Sequence, residues 1–360
     1  MIPAAKPSIG AEEREAVDRV MRSGMIAQGP EVATFETEFS AALAPGRVCV
    51  AVSSGTAGLH LGLIAVGIKP GDEVIVPSFT FAATGNSVAL AGATPVFADI
   101  DPRTFCLDPA SVEAAITPKT RAILVVHLYG QAADVVALAA IAAKHGIMLL
   151  EDAAQAHGAK YNDEYVGTFG DFAMFSLYPT KNMTSGEGGM VSCRTPETER
   201  NMRLLRNQGM ERRYENELIG FNQRMTDIHA AIGRVQLGKL PTWTAQRQAN
   251  AEFFNNELSG VVTPYTAPEA EHVWHQYTIR VESGDRDRFA KVLADEHGVG
   301  TGVYYPIPNH DLPSLKAEAA VPNTYAACAE VLSLPVFPTL TEAELTTIVE
   351  AVNTVAKAGA

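Results

Sequence analysis

The segments AILVVHLYG (122–130), VVALAAIAAKHG (135–146) and IMLLEDAAQ (147–155) alternate two apolar runs with an alanine-rich one. Short continuous apolar runs are typical of strands that are buried on both faces, and a longer alanine-rich run favours a helix. A strand, a helix and a second strand form a βαβ unit, whose two strands are parallel. This part of the chain therefore predicts an α/β fold.

The same alternation continues on both sides of this unit. Further strand-like runs are VCVAV (48–52), EVIVP (73–77), TPVFADI (94–100), FAMFSLY (172–178) and MVSCRT (190–195). A long helical stretch begins at Thr226, and the C-terminal third mixes a strand-like run, HQYTIRV (275–281), with helical ones. We predict a large domain with a mainly parallel sheet over residues 1–244 and a smaller α+β domain over residues 245–360.

The overall charge restricts the kinds of partner. The 360 residues include 28 basic and 41 acidic side chains, which gives a formal net charge of −13. Such a balance argues against a surface that neutralises nucleic-acid phosphates or anionic lipid, so neither partner is expected. An anionic ligand must instead meet a few local donors.

Cysteine spacing and the apolar runs bear on the compartment. The four cysteines, Cys49, Cys106, Cys193 and Cys328, form no CxxC pair, so neither a zinc site nor a disulfide framework is predicted. The first residues carry no apolar signal region, and no apolar run reaches the roughly 18–20 residues that a membrane span needs. We expect a cytoplasmic protein.

Three short motifs could carry chemistry. In SSGTAGL (53–59) a Ser-Gly-Thr turn opens a helix after a strand, which offers N–H groups to a phosphate or serves only as a helix cap. Asp152 follows a buried strand, where it could hold a cationic ligand group, cap a helix or bind magnesium. Lys181, in FSLYPTKNMTSGEGGM (175–190), could be a nucleophilic amine or an exposed loop lysine.

The three motifs together suit one cofactor. Pyridoxal phosphate needs a partner for its phosphate, a carboxylate for its protonated ring nitrogen and a lysine for its aldehyde. The order of the motifs along the chain supplies all three, so we predict a pyridoxal-phosphate site in which Asp152 and Lys181 are the catalytic residues.

Five segments carry a resemblance to a known family. They are GMIAQGPEVATFE (24–36), PSFTFAAT (77–84), EDAAQAHGA (151–159), FSLYPTKNMTSGEGG (175–189) and GFNQRMTDIHAA (220–231). Together they resemble the DegT/StrS group of pyridoxal-phosphate-dependent sugar aminotransferases over essentially the whole chain. The resemblance implies the aspartate-aminotransferase architecture, fold type I, with a seven-stranded sheet, and a homodimer that shares its sites.

The resemblance also assigns roles to residues. Lys181 would bond to the cofactor and move the substrate proton, and Asp152 would keep the pyridine nitrogen protonated. The other implied cofactor contacts are Gly55, Thr56, Ala57 and Ser176 at the phosphate, Phe81 on the ring face, Gln155 at the ring hydroxyl, and Asn222 at the phosphate of the neighbouring subunit. Phe81 could alternatively be a core residue, and no metal is implied.

The implied reaction moves an amino group, usually from glutamate, to a keto sugar that is linked to a nucleoside diphosphate. Similarity of GMIAQGP and RMTDIHAAIG to members that act on 4-keto-6-deoxy sugars favours C4 over C3. An inosose (aminocyclitol) substrate is an alternative. A non-catalytic regulator on the same fold is a remote one, because such a protein would have lost Lys181 or Asp152.

Several charged or ring side chains remain open to two interpretations. His157 and His229 could pack or could act in catalysis. Four arginines could form a solvated face or could reach the diphosphate of the substrate; they are Arg203, Arg206, Arg212 and Arg213. Arg224 could fix the subunit interface.

Overall fold

The architecture is taken from a computed structural model that describes residues 1–282 and 285–359. In chain order its strands are β1 (Val48–Val52), β2 (Glu73–Pro77), β3 (Thr94–Ala98), β4 (Thr120–Val126), β5 (Met148–Asp152), β6 (Lys160–Tyr161), β7 (Glu164–Tyr165), β8 (Phe172–Ser176), β9 (Gly189–Cys193), β10 (Met210–Arg212), β11 (Glu215–Asn216), β12 (Ala270–Glu271), β13 (Tyr277–Arg280) and β14 (Val331–Leu334).

Helices alternate with these strands. They are α1 (Ala11–Ser23), α2 (Pro30–Leu43), α3 (Gly55–Ala65), α4 (Ala83–Leu90), α5 (Pro109–Ala115), α6 (Val135–His145), α7 (Pro196–Arg206), α8 (Asp227–Glu257), α9 (Arg286–Asp295), α10 (Pro322–Glu330) and α11 (Glu342–Gly359). Short 3-10 turns cover Leu128–Gly130 and Asn309–Asp311. The predicted alternation of strand and helix is confirmed.

The main sheet has seven strands within the described residues, in the order β1-β9-β8-β5-β4-β2-β3. Neighbouring strands from β8 to β3 are parallel, whereas β9 runs antiparallel to both β1 and β8. The quoted βαβ unit forms as predicted, since β4 and β5 pair with Leu124 opposite Leu150. The prediction of a mainly parallel sheet is therefore confirmed.

Hydrophobic residues are buried on both faces of this sheet. Phe39, Ile123 and Phe175 belong to one core cluster, and Leu61 and Leu150 belong to a second. Alternate residues of each strand enter opposite clusters, because successive side chains of a strand point to opposite faces. Each cluster is covered by helices, which explains why the strand sequences are continuously apolar.

The C-terminal third has its own hydrophobic cluster. β13 and β14 pair antiparallel, and residues such as Tyr277 and Val352 are fully buried between them and α11. Ile2 packs against the same cluster and bridges to Val299, so the N-terminal segment lies on this C-terminal part. Helix α8 runs through residue 245, where we predicted a domain boundary, and the division into residues 1–244 and 245–360 stays a prediction.

In the part of the chain that the structure describes, no helix is both long and apolar enough to cross a membrane.

Candidate active site

The carboxyl edge of the sheet collects the predicted site residues. Asp152 is the last residue of β5 and Ser176 is the last residue of β8. β1 runs in the same direction as these strands and leads into the start of α3 at Gly55. Parallel strands place their carboxyl ends at one edge, and open α/β sheets bind ligands there.

Lys181 lies in the loop that connects β8 to β9. The amides of Leu177 and Ser185 donate to the carbonyls of Gly188 and Leu177, both at 3.0 Å, which closes this loop at its base. The lysine is half-buried rather than exposed. Burial lowers the pKa of its amine to about 8, while the charge of Asp152 acts in the opposite direction. About a tenth of the amine is therefore neutral at pH 7, which a nucleophile requires.

The carboxylate of Asp152 is 5% exposed and is held by two donors. Its Oδ2 accepts a hydrogen bond from Thr84 Oγ1 at 2.8 Å, and Oδ1 accepts one from the amide of Ala154 at 3.2 Å. Burial raises the pKa of this carboxyl group, and these hydrogen bonds together with Lys181 lower it in part. Among the described residues no cationic side chain forms an ion pair with Asp152, so its charge is open to a cationic ligand group.

The start of α3 is a capped helix end that leaves two amides free. Ser54 Oγ accepts a hydrogen bond from the amide of Ala57 at 3.1 Å, so the cap interpretation is correct for Ser54. The amides of Gly55 and Thr56 donate no hydrogen bond within the described residues. A Cβ atom on Gly55 would lie 3.1 Å from Cβ of Ser176, so a glycine here lets the serine approach the free amides.

Two tyrosines fix the orientation of Gln155. The amide of Tyr129 donates to Gln155 Oε1 at 2.7 Å, and Gln155 Nε2 donates to the hydroxyl of Tyr305 at 2.8 Å. Both tyrosines have a backbone φ of 58°, a left-handed conformation that costs energy for a non-glycine residue. Their rings stack with centroids 6.5 Å apart. Gln155 therefore presents a fixed N–H group to the pocket.

Phe81 is not a core residue. It lies just before α4 and is 61% exposed. Thr84, three residues further on, donates to Asp152, so Phe81 lies three residues along the chain from a contact of this carboxylate. An exposed aromatic side chain in that position is available to cover a flat ligand.

Asn222 differs from the other predicted residues. Its side chain is exposed and forms no hydrogen bond within the described residues, while its backbone bridges to Asn207. The neighbouring Arg224 donates to Asn207 Oδ1 at 2.8 Å. The contacts of this chain alone do not bring Asn222 to Asp152 or Lys181.

The two histidines behave as packing residues. His157 is fully buried between Phe39 and Phe175, with ring centroids 6.5 and 5.6 Å away, and burial lowers its pKa to about 3. His229 shares a 2.6 Å hydrogen bond with Thr226, the residue that caps α8. Both contacts are explained by packing and capping.

Two of the four arginines are already engaged. Arg203 and Arg206 form ion pairs with the same buried carboxylate, Glu36, at 2.9 and 2.5 Å. Arg212 and Arg213 are exposed on the β10–β11 hairpin. The interpretation of all four as a solvated face is therefore wrong for Arg203 and Arg206, which join α7 to α2.

Residues 7–353 match the model of the DegT/DnrJ/EryC1/StrS aminotransferase family. The chain belongs to this family. It is 41% identical over 360 residues to a dTDP-3-amino-3,4,6-trideoxy-alpha-D-glucose transaminase of Streptomyces venezuelae, covering 98% of this chain and 94% of the relative. It is 39% identical to the GDP-perosamine synthase of Caulobacter vibrioides, covering 98% of each protein.

Solved structures agree with this family assignment. The crystal structure of NtdA from Bacillus subtilis with its bound cofactor PMP, the amino form of pyridoxal phosphate, matches with a TM-score of 0.90 at 32% identity. The match covers 97% of this chain and 83% of NtdA. The predicted fold type I architecture is confirmed, and the protein is a pyridoxal-phosphate-dependent transaminase.

The groups in the pocket of this aminotransferase fit pyridoxal phosphate. Gly55 and Thr56 offer free amides for a phosphate, Asp152 offers a buried carboxylate without a cation, and Lys181 offers an amine with a lowered pKa. These groups stand at one edge of one sheet. The role of each individual residue stays a prediction.

Sequence reasoning missed two residues of this aminotransferase pocket. Thr84 bonds to Asp152, and Tyr305 bonds to Gln155 from the C-terminal part of the chain. Thr84 is the last residue of the motif PSFTFAAT (77–84), and Tyr305 lies in the segment GVYYPIP (302–308). Their partners are 68 and 150 residues away, which no local pattern encodes.

Proposed function

We propose that the protein transfers an amino group from an amino acid, L-glutamate, to a keto sugar linked to a nucleoside diphosphate. The observation that carries this proposal is the half-buried Lys181 beside the buried carboxylate of Asp152, in a chain that matches a sugar-aminotransferase family along its length. The names of the Streptomyces and Caulobacter relatives support a nucleotide-sugar substrate.

Lys181 has the acid–base role in this proposal. Its amine would hold the aldehyde group of the cofactor, and it would become free to carry a proton when the amino substrate takes its place. The neutral amine would then move the proton between the α-carbon of the amino substrate and the cofactor carbon that carried the aldehyde. A pKa of about 8 supports both steps, because proton transfer is most efficient when the pKa lies near the working pH.

Asp152 holds the proton on the pyridine nitrogen. Its burial and its hydrogen bond from Thr84 fix the carboxylate in one orientation. When bound, pyridoxal phosphate supplies an electron sink for the pair released at the substrate carbon. The carboxylate makes this sink effective because it stabilises the protonated ring.

The remaining predicted residues bind and orient the cofactor. The free amides of Gly55 and Thr56, the adjacent Ala57 and the hydroxyl of Ser176 take the phosphate, and Gln155 Nε2 donates to the ring hydroxyl. Phe81 covers the ring and excludes water. In a homodimer, Asn222 of one subunit completes the phosphate site of the other subunit. The exposure of Asn222 in the single chain supports this role.

The carbon that receives the amine is proposed to be C4 of a 4-keto-6-deoxy sugar, on the similarity of the segments that begin at Gly24 and Arg224. A C3 keto sugar is the second candidate, because the sugar in the name of the Streptomyces relative carries its amine at C3. A cyclitol ketone is the third.

A panel of nucleotide-linked keto sugars, incubated with the enzyme and glutamate and analysed by mass spectrometry and NMR, tests the proposal. We expect an aminated nucleotide sugar and equimolar 2-oxoglutarate. Lys181→Ala should abolish both products, and Asp152→Asn should lower turnover roughly 10²–10³-fold while the cofactor stays bound. Amination of a free cyclitol ketone, with no reaction on any nucleotide sugar, would contradict the assignment.

A further inference from the structure

A second cavity lies beside Lys181. Its walls come from the N-terminal segment 4–8, from part of the loop 179–184, from α8 and from residues 333–338. We call it the lysine-side cavity. Apart from Lys181, none of the predicted cofactor residues lines it within the described part of the chain. It is therefore distinct from the predicted phosphate and ring contacts.

The charge of this cavity is unusual for the protein. Lys6, Lys181 and Arg247 line it, and no aspartate or glutamate of residues 1–282 or 285–359 does so. The whole chain carries 41 acidic and 28 basic side chains. Lys6 and Arg247, with no carboxylate among the described lining residues, produce a local positive potential that attracts an anion.

Arg247 lacks the partner that a buried cation normally has. The side chain, on α8, is 7% exposed, and its Nη1 donates to the carbonyls of Trp274 and His275 at 3.0 and 3.5 Å. Nε has no acceptor, and no carboxylate forms an ion pair with the guanidinium among the described residues. Burial alone lowers the pKa of Arg247 to about 10, with no nearby carboxylate to oppose this shift. A buried, unpaired charge costs folding free energy unless a ligand of opposite charge pairs with it.

Apart from the basic residues, the polar side chains that line the cavity are neutral. Asn182 and Gln276 line the same cavity, and His275 stays uncharged because burial lowers its pKa well below the ordinary value. One guanidinium matches one carboxylate in a bidentate pair. Lys6, exposed at the N-terminal segment, provides a second cation for a second carboxylate.

We propose that the lysine-side cavity is an anion subsite that binds the carboxylates of the amino donor, with Arg247 as its main cation and Lys6 as the second. This assignment of the ligand rests on the proposed function, since only an amino acid or its keto acid brings carboxylates to Lys181. A dicarboxylic donor, such as glutamate, fits two unpaired cations.

The test uses glutarate, an unreactive dicarboxylate, with the holoenzyme. Trp243 lines the cavity and Trp274 accepts a hydrogen bond from Arg247, so intrinsic tryptophan fluorescence reports binding. We expect Arg247→Gln to raise the dissociation constant about tenfold or more, as for the loss of a charge-assisted hydrogen bond. Lys6→Gln should raise it about threefold, as for an exposed ion pair.

Arg19→Gln is the matched control. Arg19 is exposed on α1 and does not line the cavity, but its replacement changes the net charge equally. We expect unchanged glutarate binding. Circular dichroism and thermal melting check that Arg247→Gln folds. If it does not, Arg247→Lys replaces it, because lysine keeps the positive charge but loses the paired N–H donors of the guanidinium. This variant should weaken glutarate binding severalfold.

Two results would overturn the proposal. One is an unchanged glutarate dissociation constant in folded Arg247→Gln or, if that variant does not fold, in both Arg247→Lys and Lys6→Gln. The other is weaker binding of dTDP by Arg247→Gln, measured by titration, while its binding of glutarate is unchanged. That result would assign the cations to the diphosphate of the substrate. If the keto-sugar panel yields no product while Arg247→Gln still loses glutarate, the proposed sugar substrate is wrong and the carboxylate subsite stands.

Discussion

At the scale of the residue, burial determines what each titratable group can do. Lys181 and Asp152 carry side chains that are usually solvated, yet both lie at the carboxyl edge of the sheet with their solvent access reduced. Burial raises the pKa of Asp152 and lowers the pKa of Lys181, so it favours the neutral form of each side chain. The charge of each group partly opposes this shift in the other. The amine of Lys181 therefore titrates closer to neutral pH than an ordinary lysine does.

The lowered pKa of Lys181 predicts how the cofactor-free protein recaptures pyridoxal phosphate. Only the neutral amine attacks the aldehyde, so the rate should rise with pH, reach half its maximum near pH 8 and level off above it. Stopped-flow absorbance measures this profile. In Asp152→Asn the midpoint should fall, because the carboxylate raises the lysine pKa. A midpoint near 10.5, the ordinary lysine value, would contradict the burial argument.

At the scale of the element, one carboxylate joins two distant helices. Asp227, the first residue of α8, is buried and accepts hydrogen bonds from the amides of Gly29 at 2.8 Å and Val32 at 3.0 Å. These amides open α2, where the helix itself provides no acceptor. The segments GMIAQGPEVATFE and RMTDIHAA, which both carry the family resemblance, thus meet in the fold.

Replacing this carboxylate should destabilise the protein. We expect Asp227→Ala to lower the free energy of unfolding by about 2 kcal/mol or more, because buried amides lose their acceptor. Urea denaturation with saturating cofactor measures the change. Asp18→Ala serves as the control, because it removes only an exposed pair with Arg22 and should cost less than about 0.5 kcal/mol. Equal unfolding midpoints for the two variants would show that the first turn of α2 is stable without Asp227.

At the scale of the whole molecule, the single chain leaves one predicted site residue outside the pocket. Asn222 is exposed, whereas Gly55, Ser176 and Lys181 gather at one edge of the sheet. A symmetric dimer brings the same patch of each subunit against its copy, so a residue can serve the site of its neighbour. The homodimer stays a prediction, and the position of Asn222 makes it testable.

Mixed dimers provide the test. Lys181→Ala removes the amine, and Asn222→Asp places a negative charge opposite the phosphate, so each variant alone should lose activity. If the site is shared, a heterodimer has one site with both defects and one intact site. Equal mixing should then restore about a quarter of the wild-type activity, because half of the dimers are mixed and half of their sites are intact. Native mass spectrometry confirms the mixing; mixed dimers without recovered activity would place Asn222 in the site of its own subunit.

The sequence by itself determined the α/β class and the positions of the main strands, and it predicted Lys181 and Asp152 as the reacting pair. β1 and β2 begin and end where their apolar runs do, and β5 places Asp152 at its end, because strand formation and two-sided burial depend on local composition. The family motifs are also local, so the cofactor could be predicted before any contact was known.

Only the tertiary structure decided which distant residues complete these motifs. Thr84 and Tyr305 reach Asp152 and Gln155 across 68 and 150 residues, and Asp227 reaches Gly29 across 198. Arg247 shows no signal in the sequence, where it is one polar residue in a long helix, yet folding buries it beside a cavity without a carboxylate. Burial and pairing depend on the packing of the whole chain, so the charge of a side chain has functional meaning only when its surroundings are known.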